Sequence, residues 1–370
     1  MKFTCEKQVL QAAVATASRA CSPKNPIAAL EGVLIEAYQN VKITGYDLKK
    51  GIYTDFDAAI AETGSIILSA RLFGDIIRSM PDGIVTVETK DGETTRITCG
   101  GSEFSIIGTN AESYPELPDV DYQSTISLPC STLKTMIGQI LFAVSDNESR
   151  PVYTGALFEV ENDELTIVSV DGYRLALRRE ALDRSDVSSC SFIVPGNALS
   201  ELEKICADSE EAVNITLGSK HISFKTGRTV LISRRLEGEF LNYRKTVPSV
   251  FPIEVEVERT AFAGVVSRVS LIINDQTKTP IRCYFNDDEI RFFCQTGLGR
   301  AEDYCSAVGS GNGLEIGFNN RYLLDAFRAA PADKVKVCLN TNSSPCVLLP
   351  TDGSDKFLYM ILPVRLKADN

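Results

Sequence analysis

Six stretches of this chain repeat one pattern, in which adjacent apolar positions recur every four residues, and that recurrence restricts the fold more than any single motif. Val9/Leu10, Ala13/Val14 and Ala17 show it first; Leu72/Phe73, Ile76/Ile77 and Met80 follow; Leu133, Met136/Ile137 and Ile140/Leu141 make the third. It returns at Leu199, Leu202 and Ile205/Cys206, at Ala261/Phe262, Val265/Val266 and Val269, and at Tyr322/Leu323, Ala326/Phe327 and Ala330. This spacing lays one apolar stripe along a helix of about three turns, so each helix has a single face to bury. A strand-like run precedes every one: "MKFTCE", "GSIILSA", "STISLPC", "CSFIVPG", "PIEVEVE" and "LEIGFNN". Behind them come alternating segments such as "GVLIEA" and "VKITGYD", "ALFEV" and "LTIVSVD", or "IRCYF" and "EIRFFCQ". These suit half-buried antiparallel strands joined by tight turns.

The repeating unit is therefore β-α-β-β-β, used six times, and the fold class is α+β. Pairing the units gives three similar domains, each with two helices packed on antiparallel sheets. Their first helices begin near Lys7, Cys130 and Arg259. Proline and polar residues interrupt the periodicity at 114–124 ("YPELPDVDYQS") and 246–252 ("TVPSVFP"), which places the domains at 1–120, 124–248 and 251–370.

Charge is unevenly spread. The formal net charge is −11, which alone argues against nucleic acid. Yet the six helical stretches carry ten Lys or Arg and four Asp or Glu, a balance of +6 that leaves −17 for the rest. With the apolar stripes turned to the sheets, the bases face away from them, so an acidic protein can present one basic surface. Nothing supports catalysis. The lone histidine, His221, sits in a strand-turn context with no triad to assemble around it. The glycine-rich runs at 295–303 and 308–317 lack the phosphate-loop pattern, and the second precedes a strand instead of opening a helix. Eleven scattered cysteines without a CxxC pair read as free thiols of a reducing compartment. No run approaches a membrane span, so a cytoplasmic location is expected, with no metal and no cofactor.

Several segments together carry a resemblance: the opening "MKFTCEKQVL", the turn "VDGYRLAL", "FIVPGNALSEL", "GEFLNYRKTVP", "EIGFNNRYLLDAF" and the ending "YMILPVRL". In this order and spacing the chain resembles, over essentially its whole length, the bacterial β sliding clamps, processivity subunits of DNA polymerase III. It departs from the usual family pattern at Val170, Tyr173 and Leu241, and Lys367–Asn370 extends past the family's common end.

The resemblance implies the DNA clamp fold and a homodimeric ring around duplex DNA, without catalytic activity. The DNA-facing bases would be Lys24, Arg71, Arg78, Lys134, Lys204 and Arg268. The ring contact would join Phe104 and Ile106 to Leu271 and Ile272. A cleft would accept a short linear motif carried by the polymerase III catalytic subunit, the clamp loader, repair polymerases and mismatch-repair proteins. By the same likeness it would be built from Gly172, Tyr173, Arg174 and Leu175, from Leu241 and Val247, from Asn319 and Tyr322, and from Pro345, Val347, Met360, Leu362, Pro363, Val364 and Arg365. Leu175 and Leu362 would be apolar wall, and Arg174 a polar rim.

Overall fold

A computed structural model describes residues 1–90, 93–274 and 279–366, so Lys367–Asn370 lies outside the described residues. All six striped stretches are helical. In chain order the helices are α1 (Lys7–Ala17), α2 (Ala70–Ser79), α3 (Cys130–Gly138), α4 (Gly196–Ile205), α5 (Tyr243–Thr246), α6 (Arg259–Val269) and α7 (Asn320–Ala329). The single turn α5 is too short to show a period and was not expected. Three of the others continue as 3-10 turns, Ser18–Ala20, Leu141–Ala143 and Ser270–Ile272; α1 and α6 end on the last residue of their stripes, and α3 stops short of Ile140 and Leu141. Local chemistry accounts for two of these. Gly138 closes α3, and the Ser270 hydroxyl donates to the Val266 carbonyl (2.6 Å), competing with helix continuation.

Each of the six expected helices is flanked by the strands anticipated for it. Leu314–Phe318, α7, Lys334–Leu339, Cys346–Pro350 and Phe357–Ile361 form one complete β-α-β-β-β unit. The chain packs as two compact units. One holds Met1–Leu133, Asp183–Val187 and Glu201–Arg235; the other holds Lys134–Leu182, Ser188–Ser200 and Leu236–Asn370.

The first unit has two antiparallel sheets. The smaller runs Ala59–Glu62, Lys2–Glu6, Ile84–Thr89, Thr94–Cys99 and Ser102–Ile107, leaving the last strand at an edge. In the larger, nine-stranded sheet, Thr229–Arg234 pairs with Lys50–Phe56, from Thr229↔Thr54 to Ser233↔Lys50. A single sheet thus joins strands almost two hundred residues apart. Leu10 and Val14 of α1 and Phe73 and Ile77 of α2 bury their stripes against Phe3, Val33, Val85 and Ile97.

The second unit has one twelve-stranded sheet. At its middle Arg174–Ala181 pairs antiparallel with Phe357–Ile361, from Arg174↔Ile361 to Arg178↔Phe357. On this unit α6 and α7 meet through Phe262 and Phe327, whose rings stack at 3.8 Å and 7°, while Phe292 meets Phe262 edge-on at 4.9 Å. Both Phe262 and Phe327 are buried, so the helix pair and sheet share one aromatic core. The eleven cysteines are free thiols.

Phe327→Ala empties the centre of that stack and should destabilise the protein by about 3–5 kcal/mol. The check is urea denaturation followed by tyrosine fluorescence, where an unchanged midpoint contradicts this packing.

Candidate functional site

The strand Glu164–Val170 reverses through Asp171, Gly172 and Tyr173 into Arg174–Ala181. Asp171 sets the reversal: its Oδ1 accepts the backbone N–H of Tyr173 (2.8 Å) and of Arg174 (3.0 Å). Gly172 sits at φ 92°, a conformation that side-chain-bearing residues rarely adopt. The turn is therefore fixed by its own residues.

Arg174 ties the turn to α7. Its Nε donates to Asp171 Oδ2 (2.8 Å) and its Nη1 to Asp325 Oδ2 (2.6 Å). The guanidinium lies over the rings of Tyr322 (4.5 Å) and Phe142 (5.3 Å), and Tyr173 stacks on Tyr322 at 5.9 Å. Only 12% of the Arg174 side chain is exposed, so it is a buried link more than a polar rim. Asp325 is consequently turned toward Arg174 and does not dilute the basic face of α7. Asn319 caps α7, its Oδ1 accepting from Arg321 N (3.0 Å) and Tyr322 N (3.4 Å), which sets where Tyr322 falls.

The C-terminal segment runs alongside. Leu362 N donates to the Tyr173 carbonyl and Val364 N to the Gly317 carbonyl, both at 2.8 Å. Gly317 permits that approach, since a Cβ there would lie 2.5 Å from Leu366 Cδ2 and 2.8 Å from the Val364 carbonyl oxygen. Leu362 and Pro363 are half-buried, while Val364 and Arg365 are exposed.

Beneath the turn lies an apolar cluster. Leu175, Val347 and Met360 are buried in it, and Leu241 and Val247 pack against it half-buried. These five of the expected residues come together. Leu362, Pro363 and Val364 are not members, and Pro345, half-buried, precedes the strand that carries Val347. Val152, Tyr153, Leu177, Phe240 and Tyr243 also belong and were missed. Tyr153 meets Phe240 edge-on at 5.6 Å, and the Tyr243 hydroxyl donates to Glu159 (2.6 Å), which anchors α5. Phe240 and Tyr243 stand in the quoted run "GEFLNYRKTVP", the signal that would have found them; Val152 and Tyr153 lie in a 3-10 turn with no period.

The six expected bases are differently placed. Arg71 and Lys24 are exposed and Lys134 is half-buried. Arg78 pairs with Asp75 (2.9 Å), Arg268 with Asp303 (2.6 Å), and Lys204 with Glu201 (3.1 Å), which also meets Arg19 (3.4 Å). Such exposed pairs contribute little to stability, so a phosphate can compete for the cation. Of the expected contact residues, Leu271 is 83% exposed and Phe104 39%, whereas Ile106 packs on the core of its unit and Ile272 is half-buried. Ile107, not singled out in the sequence, is 80% exposed on the same edge strand as Phe104.

Comparison with known proteins bears on what this arrangement serves. Residues 1–118, 127–242 and 244–365 match the N-terminal, central and C-terminal domains of the DNA polymerase III beta subunit. The beta sliding clamp of Staphylococcus aureus (strain Mu50 / ATCC 700699) is 33% identical over 378 residues, covering 99% of each chain, and that of Staphylococcus epidermidis is 32% identical over 377 residues. The crystal structure of the DNA polymerase sliding clamp from Bacillus subtilis superposes with a TM-score of 0.94 at 30% identity, over 99% of this chain and 100% of that one. The α+β architecture is that of the clamp fold. The chain belongs to the DNA polymerase III beta subunit family. Its function is that of a DNA sliding clamp, a processivity factor with no catalytic step of its own.

Leu175→Ala removes a fully buried side chain from the cluster, so the structure predicts a stability loss of about 2–5 kcal/mol besides any loss in binding. Differential scanning fluorimetry reads it. Wild-type stability in this variant would contradict the placement of Leu175 in the core.

Proposed function

We infer that two copies of this chain close into a ring around duplex DNA and offer partners a docking surface built on the Asp171–Arg174 turn and the C-terminal segment. Three domains per copy, bounded near 1–120, 124–248 and 251–370, suit such a ring. One observation supports the docking surface above the others: a self-fixed turn and a chain end are laid side by side over an apolar cluster, with Tyr173 61% exposed at the surface. A short linear motif gains affinity by placing apolar anchors in such a setting under a polar rim. The polymerase III catalytic subunit, the clamp loader, repair polymerases and mismatch-repair proteins are the proposed carriers. DNA is held by backbone attraction alone, through Lys24, Arg71, Arg78, Lys134, Lys204 and Arg268, so binding is sequence-independent and salt-sensitive. No helix among the described residues is long and apolar enough to cross a membrane, and a cytoplasmic site of action fits work on the chromosome.

The ring contact uses the exposed apolar residues Phe104, Ile107 and Leu271, with Ile106 and Ile272 behind them. Edge strands with such residues invite pairing. Light scattering should give twice 40.4 kDa, 80.8 kDa. Leu271→Asp should yield the monomer without unfolding it, because the side chain is solvent-facing within one chain; a persistent dimer would place the contact elsewhere.

Deleting Leu362–Asn370 should abolish binding of a fluorescent polymerase-tail peptide and leave the dimer intact. Loaded onto a nicked circle, the protein should stay bound and leave once the circle is cut. Retention on linear DNA with free ends would overturn the topological reading.

A further inference from the structure

We propose that Glu201 limits how firmly the basic helical face holds DNA, by keeping Arg19 and Lys204 paired to one carboxylate until a phosphate displaces it. The inference rests on the DNA reading given above and adds the residue that sets the strength of the hold. Glu201 lies on α4, where its Oε1 accepts from Lys204 Nζ (3.1 Å), three residues on. Its Oε2 accepts from Arg19 Nη1 (3.4 Å), which comes from the 3-10 turn following α1, 182 residues away in sequence. One carboxylate thus serves two cations from two helical segments, and all three residues belong to the first unit.

The placement suits a restraint. Leu199 and Leu202 turn the stripe of α4 to the core, and at about 3.6 residues per turn Glu201 and Lys204 fall on the opposite face, with Glu203 on the flank. Only 17% of the Glu201 side chain is exposed, against 54% for Asp75, the partner of Arg78. Lower exposure means weaker screening by water and salt, so Glu201 competes with a phosphate more strongly than Asp75 does. Glu201 and Glu203 are two of the four acids on the six striped helices. Glu203 makes no ion pair among the described residues, which sets the bridging role of Glu201 apart from the mere presence of acid on α4.

Each exchange of partners carries a cost. For Lys204 or Arg19 to meet a phosphate it must leave Glu201, and the glutamate is then left beside the incoming anion. The two anions repel, so the contact is weaker than one made by Arg71, which is exposed and has no ion-pair partner among the described residues. A closed ring retains DNA by topology and gains nothing from tight backbone contacts, each of which must break as the duplex moves past. A glutamate among the bases therefore lowers drag without loss of retention.

The test is fluorescence anisotropy of a short labelled duplex titrated with the full-length protein between about 50 and 200 mM salt, where the slope of log affinity against log salt is about −0.9 per phosphate contact. Glu201→Gln should bind about tenfold more tightly at about 100 mM salt and steepen that slope by about one to two. Its thermal midpoint should stay near wild type, since such pairs add little stability. Adding Arg19→Gln to Glu201→Gln should take back about one unit of slope. Glu203→Gln makes the same change in net charge on the same helix and leaves the bridge intact, so it should tighten binding by less than about threefold at an unchanged slope. Wild-type affinity in Glu201→Gln overturns the proposal, as does an equal gain in Glu203→Gln, because net charge would then be the whole effect. Weaker binding in Glu201→Gln also overturns it, since the glutamate would then orient the bases instead of restraining them. Arg71→Ala separates these failures from failure of the DNA reading: it should weaken binding and reduce the slope by about one. If Arg71→Ala and Lys204→Ala both bind as wild type, the face does not hold DNA and the proposal falls with that reading.

Discussion

The antiparallel ladder between Arg174–Arg178 and Phe357–Ile361 is the contact on which the candidate partner site rests. Those strands are nearly two hundred residues apart in sequence, and each is otherwise the edge of its own β-α-β-β-β unit. Pairing removes two exposed edges, which would be open to association with other chains. It also fixes a register, Arg174 opposite Ile361 and Leu175 opposite Met360, that sets the Asp171–Arg174 turn beside the segment leaving the last strand. Buried Arg178 reinforces the ladder, donating to the Lys356 carbonyl (3.1 Å) and pairing with Glu180 (2.5 Å). A slip of one residue would turn Leu175 and Met360 away from their shared cluster.

Electrostatics serve a second purpose within the same unit. Arg174 is shared by Asp171 and Asp325, so the turn and α7 move together, and Tyr173 is held against Tyr322. A cation half-enclosed between carboxylates and aromatic rings is a positioning device. The bases on the other helices differ. Arg78, Lys204 and Arg268 are themselves exposed, so solvent and salt already weaken their pairs. Loose pairs on a surface suit a protein that must hold DNA without gripping it.

The helices were legible because their signal is local. A stripe such as Ala261/Phe262, Val265/Val266 and Val269 needs only its own residues to declare a helix and its buried face. Strand positions were legible for the same reason. Partners across the sheet were not: nothing in Thr229–Arg234 names Lys50–Phe56 as its neighbour, because any half-buried strand offers the same hydrogen-bonding groups. The site divides along the same line. The turn "VDGYRL" and the ending "YMILPVRL" stood out in sequence, and the ladder joins them. Asp325 as the partner of Arg174, 151 residues away, and Val152 and Tyr153 as members of the cluster depend on tertiary packing alone. Exposure on the edge strand Ser102–Ile107 was also hidden, since alternation does not say that Ile107 is left uncovered while Ile106 meets the core.

Hydrogen exchange read by mass spectrometry, with and without a polymerase-tail peptide, tests the central claim most directly. Peptide binding should slow exchange together in the Asp171–Leu175 turn, the Leu241–Val247 segment and Met360–Val364, since they share one hydrogen-bonded and apolar framework. Protection confined to another surface, with these three segments unchanged, would contradict the account.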